Sequence, residues 1–315
     1  MTVGIGAICH GGNLIVMAAD TRGSYEDPTI GPNDCTGKQY DLPLNFSVNI
    51  AGAVNLCNSV VAFLHDRIKS FETLPNVFHD HFRNAIRDAQ LEELTFQMDY
   101  ALVNELGMTR LEWNKAWPTN PRVRQAGRAV FRRIPFQLEL TVAGFVRGYH
   151  VLLTAEGKQA AETETNFSVI GCGAQEAQEH LDKRGQYPWV GLSRTLVHIC
   201  EAIRMAGIAY PESIGEAADY VIISPKGYYR IPVDFVNSLA SQYSGHDTEP
   251  LDRDEESFKR IRNACYTHMT QEEMRAGKRP QNLAAVMPST AQRSVRARSP
   301  YDAEYPEKEH LSFDD

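Results

Sequence analysis

The sequence predicts an α+β fold, a four-layer αββα sandwich in which two face-to-face sheets are each covered outside by helices. Three observations carry this expectation. Two short apolar runs, residues 3–8 and 14–19, flank His10-Gly11-Gly12-Asn13, a cluster suited to positive φ and so to a tight hairpin turn. The second run, LIVMAA, does not alternate, so both of its faces are expected to be covered. Helical periodicities then arrive in pairs between groups of strands, which is what two sheets need if each is to bury its outer face.

After a loop over 23–37 rich in Gly, Pro, Asp and Asn, residues 39–42 and 46–50 read as the next strand pair. Leu56, Val60, Phe63, Leu64 and Ile68 recur at helical spacing, predicting an amphipathic helix that ends near Phe71. A longer helix over 76–106 carries Phe78, Phe82, Ile86, Leu91, Leu94, Met98 and Leu102, with Gly107 as its stop. Residues 108–134 hold Trp113, Trp117, two prolines and a basic run; they match no single template and are read as an insertion or a further short helix. Strands are expected over 137–145, 149–154 and 162–170, helices over 174–184 and 192–208, and a last strand pair over 219–224 and 228–233. The packed domain is thus expected to span 2–237. A charged extension follows over 238–315, with a helix candidate at 252–277 and a tail poor in large apolar residues.

A length of 315 residues suits one large domain with an appendage. The net charge of −8 argues against nucleic acid or an anionic membrane as the main partner. The basic run at 121–133 is read as a solvated helix face rather than a binding patch. No charged leader precedes a long apolar segment, and no apolar run approaches the about eighteen residues of a spanning helix, so a cytoplasmic location away from the membrane is expected. Six cysteines (Cys9, Cys35, Cys57, Cys172, Cys200, Cys265) are scattered without CxxC spacing or a paired histidine cluster. They read as free thiols, and neither a metal nor another cofactor is expected. His65, His79, His81 and His198 converge on no acidic partner and read as packed or surface residues.

The chemistry begins at Thr2, which opens the first apolar run. Once Met1 is removed, Thr2 carries a hydroxyl and a free α-amine on one residue, a pairing that activates a weak alcohol nucleophile. Further along stand AADTR at 18–22, Lys38 with Gly52 fourteen residues later in NIAGAV, GCG at 171–173, and Ser213 seven residues before Tyr220. Together and in this order these elements resemble the β subunits of the proteasome and their bacterial relatives, members of the N-terminal nucleophile (Ntn) hydrolases, over roughly residues 2–233.

The resemblance implies a role for each element. Thr2 Oγ attacks a carbonyl while its own amine, with an ordinary pKa of about 7.7–8.0, accepts the proton. Lys38 lies beside Thr2 as a fixed cation, Asp20 pairs with Lys38, and the Gly52 N–H serves as oxyanion donor. Cys172 and Ser213 belong to the shell around the amine. Ile50, Ala51 and Val54 line an apolar first specificity pocket, and Ser24 lies on the strand that holds an extended substrate. The chain departs from the family pattern at two places: Cys172 stands where a serine is usual, and Tyr210 where an aspartate is usual, with Glu212 the carboxylate nearby in sequence.

The resulting expectation is a threonine-type peptidase acting on a peptide or polypeptide substrate within a homo-oligomeric ring or stacked assembly, served by an ATP-dependent unfoldase. A proteasome-like structural subunit without activity and an amidohydrolase acting on a small metabolite are the alternatives.

Overall fold

In the computed structural model, Val3–Cys9 (β1) and Leu14–Asp20 (β2) pair antiparallel, with Gly4 opposite Ala19 and Cys9 opposite Leu14. A single 3-10 turn over His10–Gly12 closes the hairpin, and His10, Gly11 and Gly12 all take positive φ, as the Gly-rich turn predicts. The structure describes residues 2–22, 38–52, 54–68, 75–104, 107–133, 138–156, 162–215, 217–243, 260–261 and 263–267, with a few helix side chains, Val54 among them, left aside.

The remaining elements follow in chain order. Gln39–Leu42 (β3) and Phe46–Gly52 (β4) lead into Val54–Ile68 (α1) and Pro75–Asn104 (α2). Arg110–Ala116 (α3) and Pro121–Arg133 (α4) precede Leu138–Val146 (β5), Tyr149–Glu156 (β6), Glu162–Thr163 (β7) and Phe167–Gly171 (β8). Then come Ala174–Lys183 (α5), Leu192–Ala209 (α6), Ala218–Ser224 (β9), Gly227–Ile231 (β10), Val233–Tyr243 (α7) and Tyr266–Thr267 (β11). Among the described residues the strands form two antiparallel sheets, ordered β11-β10-β9-β2-β1-β8 and β3-β4-β5-β6-β7.

β1 and β2 lie inside the six-stranded sheet, which explains why their sequence does not alternate. On one face Val3, Ile5, Val16 and Ala18 pack with Leu181, Leu196, Ile203 and Val236 of α5, α6 and α7. On the other, Ile15 and Met17 meet Ala143 and Leu152 of the five-stranded sheet. That second sheet turns Val48, Leu140 and Leu153 toward Leu56, Leu64, Phe82 and Ile86 of α1 and α2. One apolar cluster therefore sits between the sheets, one lies under α5, α6 and α7, and one under α1 and α2.

Two glycines set how closely the sheets approach. A Cβ on Gly6 would come within 2.8 Å of Met17 Sδ and 2.9 Å of Leu152 Cδ1, and one on Gly4 within 3.1 Å of Asn49 Cβ. The sheets are then pinned by Asn49, whose Nδ2 donates to the carbonyls of Ile5 (3.1 Å) and Ala18 (2.9 Å). Both bonds are buried, where leaving the Nδ2 donors unpaired would be costly.

The strand expected over 162–170 is two strands. β7 pairs with β6 and β8 with β1, so the segment crosses from one sheet to the other. The crossing is held by Glu164 N–H to the Leu152 carbonyl and by Ile8 N–H to the Asn166 carbonyl, both 2.9 Å. Residues 108–134 fold as the hairpin α3–α4. Thr109 caps α3 with a reciprocal bond to Glu112, and Gly127 of α4 lies so close to the Trp113 and Trp117 rings that a Cβ there would sit 2.3 Å from Trp113. Arg122, Arg124, Arg128 and Arg132 of α4 are exposed, in keeping with a solvated face. Residue 237, the expected end of the packed domain, lies inside α7, which buries Val236, Leu239 and Ala240; β11 extends the sheet further still. Within the helix expected at 252–277, Tyr266–Thr267 are instead strand β11, drawn out of helix by pairing with β10; the rest of it and the tail fall almost entirely outside the described residues. No helix among those described is long and apolar enough to cross a membrane.

His198 is a packed histidine. Its Nδ1 lies 3.0 Å from Gln186 Oε1, and the Gln186 amide donates to Thr195 Oγ1 (3.2 Å) and the Ile8 carbonyl (3.4 Å). Burial, reinforced by Arg184, Arg194 and His180, pushes its pKa down from 6.5 to about 3. The unfolded chain therefore binds a proton between about pH 6.5 and pH 3 that the folded chain refuses, so stability falls as pH falls through that window. Between pH 7 and pH 5 the loss amounts to about 2 kcal/mol. A His198→Gln protein is expected to lose about that much less over the same range, as read from urea unfolding at both pH values.

Candidate active site

The hairpin register that places Gly4 beside Ala19 also brings the two strand ends together, and with them Thr2 and Asp20. Thr2 is buried, and its Oγ1 donates to Asp20 Oδ1 at 2.5 Å, while the Val3 N–H donates to the same oxygen at 2.8 Å. Lys38 arrives from the other sheet, just ahead of β3, where its carbonyl accepts from Ile50 N–H at 2.9 Å. Its Nζ donates to Asp20 Oδ1 (3.0 Å) and Oδ2 (2.9 Å). The Asp20 side chain is wholly buried and that of Lys38 only 11% exposed. Burial lowers the Lys38 pKa and the Asp20 carboxylate opposes that fall. Thr2, Asp20 and Lys38 thus form one cluster astride the two sheets, with Asp20 bonded to both partners.

Asp20 gathers two further donors, the backbone N–H groups of Arg22 (3.2 Å) and Gly215 (3.4 Å). Arg22, which the sequence marks only as part of AADTR, fixes the turn that carries Ser213. Its Nη1 donates to the carbonyls of Pro211 (2.7 Å) and Ile214 (3.5 Å), and Thr21 N–H bonds the Ala217 carbonyl at 3.1 Å. Ser213 is buried on that turn, its N–H bonded to the Tyr210 carbonyl at 3.0 Å.

The Gly171-Cys172-Gly173 segment closes the other side of Thr2. The Cys172 thiol donates to the Thr2 carbonyl at 3.5 Å, and so does the Gly173 N–H. Burial raises the Cys172 pKa, so the group is a protonated donor rather than a thiolate nucleophile. Gly171 has φ +97, and a Cβ there would lie 2.1 Å from the Thr2 carbonyl oxygen. Gly171→Ala is therefore expected to cost more than the roughly 1–3 kcal/mol of a strained backbone position alone, because Thr2 itself must move. A urea midpoint unchanged from the parent protein would contradict this packing.

Two carboxylates here escape sequence reading because they come from distant elements. Glu139 of β5, opposite Ala51, accepts the Gly171 N–H at 2.5 Å. Glu176 of α5 accepts the Tyr210 hydroxyl at 3.2 Å, and its second oxygen is buried without a hydrogen-bond partner among the described residues. The acid beside Tyr210 is thus Glu176, and Glu212 is exposed on the turn.

Gly52 ends β4 in an exposed position with φ +112. Ala51 is buried beside it, whereas Ile50 belongs to the core that α1 and α2 share with the five-stranded sheet. Val54 opens α1; its side chain and all of Ser24 lie outside the described residues. No group of three or more His, Cys, Asp or Glu side chains suited to a metal occurs among the described residues.

The sequence matches no family model and no curated protein. Among solved structures, one similar chain is the Anbu (Gly-1) mutant from Hyphomicrobium sp. strain MC1, at TM-score 0.51 and 16% identity, covering 78% of this chain and 94% of that one. Another is eukaryotic HslV from Trypanosoma brucei, at TM-score 0.42 and 14% identity, covering 70% and 99%. The likeness to Anbu is one of fold, and the chain has a proteasome-like fold.

Proposed function

We propose that this chain is a threonine-type Ntn peptidase, built as a four-layer αββα sandwich, that cleaves peptide bonds with Thr2 as nucleophile. The observation that carries the reading is the buried Thr2–Asp20–Lys38 cluster. A hydroxyl, a carboxylate and an ammonium are costly to bury together, and their convergence at the chain's N-terminal strand suits an N-terminal nucleophile.

Removal of Met1 frees the Thr2 amine. The amine takes the hydroxyl proton as Oγ bonds to the carbonyl carbon, and the oxygen left with the negative charge meets the Gly52 N–H. Collapse of this intermediate breaks the C–N bond, and the amine returns its proton to the departing nitrogen. Water then hydrolyses the ester and restores Thr2. Lys38 keeps a positive charge beside the reacting oxygen, and Asp20 holds that charge in place. Cys172 and Gly173 keep the Thr2 main chain fixed, since small displacements of a nucleophile are costly.

The reading extends to an oligomeric ring or stacked assembly in the cytoplasm, fed unfolded polypeptide by an ATP-dependent partner. Intact-mass analysis together with hydrolysis of fluorogenic peptides tests it. The expected result is a chain lacking Met1 that releases fluorophore, fastest with an apolar residue before the cleaved bond. A chain that keeps Met1 overturns a mechanism based on the Thr2 amine.

A further inference from the structure

The α2–α4 projection carries two uncovered features. Along the first half of α2, Phe82, Ala85, Ile86 and Ala89 form a buried stripe in the core. The same three- and four-residue spacing continues through Phe96, Tyr100 and Val103, which are 61%, 57% and 63% exposed. A helix of 30 residues is about 45 Å long, about twice the length of the 15-residue α1, so its distal half overhangs that neighbour. α3 is tied there by Arg110, whose Nε and Nη2 bond the two oxygens of Asp99, and it adds exposed Leu111.

The second feature is cationic. Arg124, Arg128 and Arg132 of α4 recur every four residues and so share one helix face, while Arg122 lies on another. All four are exposed, and none has an ion-pair partner among the described residues. On a chain of net charge −8, a row of arginines without ion-pair partners among the described residues, on a helix packed against the α2 that carries exposed aromatic surface, marks a place where a partner both acidic and apolar binds.

Residues 301–315 of this chain, YDAEYPEKEHLSFDD, have that chemistry. They carry six carboxylates against one lysine, interleaved with Tyr301, Tyr305, Leu311 and Phe313. Thirty-three residues separate β11 from Tyr301, enough chain to span about 100 Å, more than the length of α2. Tethering also keeps the local concentration of the segment high. We propose that the α2–α4 surface is a docking site for the segment 301–315, with its carboxylates on the α4 arginines and its aromatic residues on the Phe96–Tyr100–Val103 stripe.

The test uses the full chain with Tyr100 replaced by the photo-cross-linker p-benzoylphenylalanine, and mass spectrometry to map the products. Cross-links are expected chiefly to 301–315, falling at least about five-fold in 0.5 M salt, where charge attraction is screened. A similar fall is expected when Arg124→Gln, Arg128→Gln and Arg132→Gln are combined, and when free 301–315 peptide competes. The exposed arginines can be removed without unfolding, which an unchanged melting curve checks. Cross-links mainly to a second copy or to another region, no cross-links, or yields indifferent to the arginines would each overturn the proposal.

Discussion

Thr2→Ala is expected to lower peptide hydrolysis by at least about a thousand-fold while changing stability by only about 1 kcal/mol. The two effects separate because of how Asp20 is bonded. Losing the Thr2 hydroxyl removes one of its donors, yet the Val3, Arg22 and Gly215 N–H groups and Lys38 Nζ remain. The buried carboxylate stays satisfied, so the melting temperature should fall by only a few degrees. The chemistry has no such reserve, since the Cys172 thiol stays protonated and bonded to the Thr2 carbonyl. A Thr2→Ala protein that melts normally and still cleaves peptides would remove Thr2 from the mechanism.

Asp20→Ala is expected to be among the most damaging single substitutions, costing about 3–5 kcal/mol. It leaves the largely buried Lys38 ammonium without its counter-charge and strips the acceptor from three backbone N–H groups at once. In a chain of this size such a loss lowers the melting temperature by about 10 °C. The double variant Asp20→Ala/Lys38→Met removes the stranded charge too and is expected to recover part of that stability, while staying inactive. If the double variant were as unstable as the two single losses added together, Asp20 and Lys38 would not be coupled in the way their 2.9 Å contact indicates.

The residues that were legible in the sequence are those whose signal is local. The hairpin follows from a Gly-rich turn between apolar runs, and the inner position of β2 from a run with no polar alternate. The meeting of Thr2, Asp20 and Lys38 is what the family resemblance, carried by the order of the motifs, implies. Ser213 carries only an implied place in the shell around the amine, and what holds its turn is not visible in the sequence, because Arg22 acts on main-chain carbonyls nearly two hundred residues away. Glu139 and Glu176 were missed for the same reason: an ordinary carboxylate on a strand or helix gains meaning only from what folds against it. Residues 162–170 read as one strand because apolar spacing does not reveal a change of sheet partner. Residues 108–134 resisted assignment because the α3–α4 packing depends on one glycine fitting against two tryptophans. Ile50 illustrates the converse, since its apolar character reports a place in the core with α1 and α2 as readily as a pocket wall.

The central claim is that Thr2 supplies both a hydroxyl and a free amine to one reaction. A peptide epoxyketone reads this directly, because it closes a ring only with a nucleophile that carries both groups. Incubation of the full chain followed by peptide mapping is predicted to place a single adduct on the N-terminal Thr2, absent from Thr2→Ala and strongly reduced in Lys38→Ala. An adduct on Cys172 instead, or none on a chain from which Met1 has been removed, would contradict it.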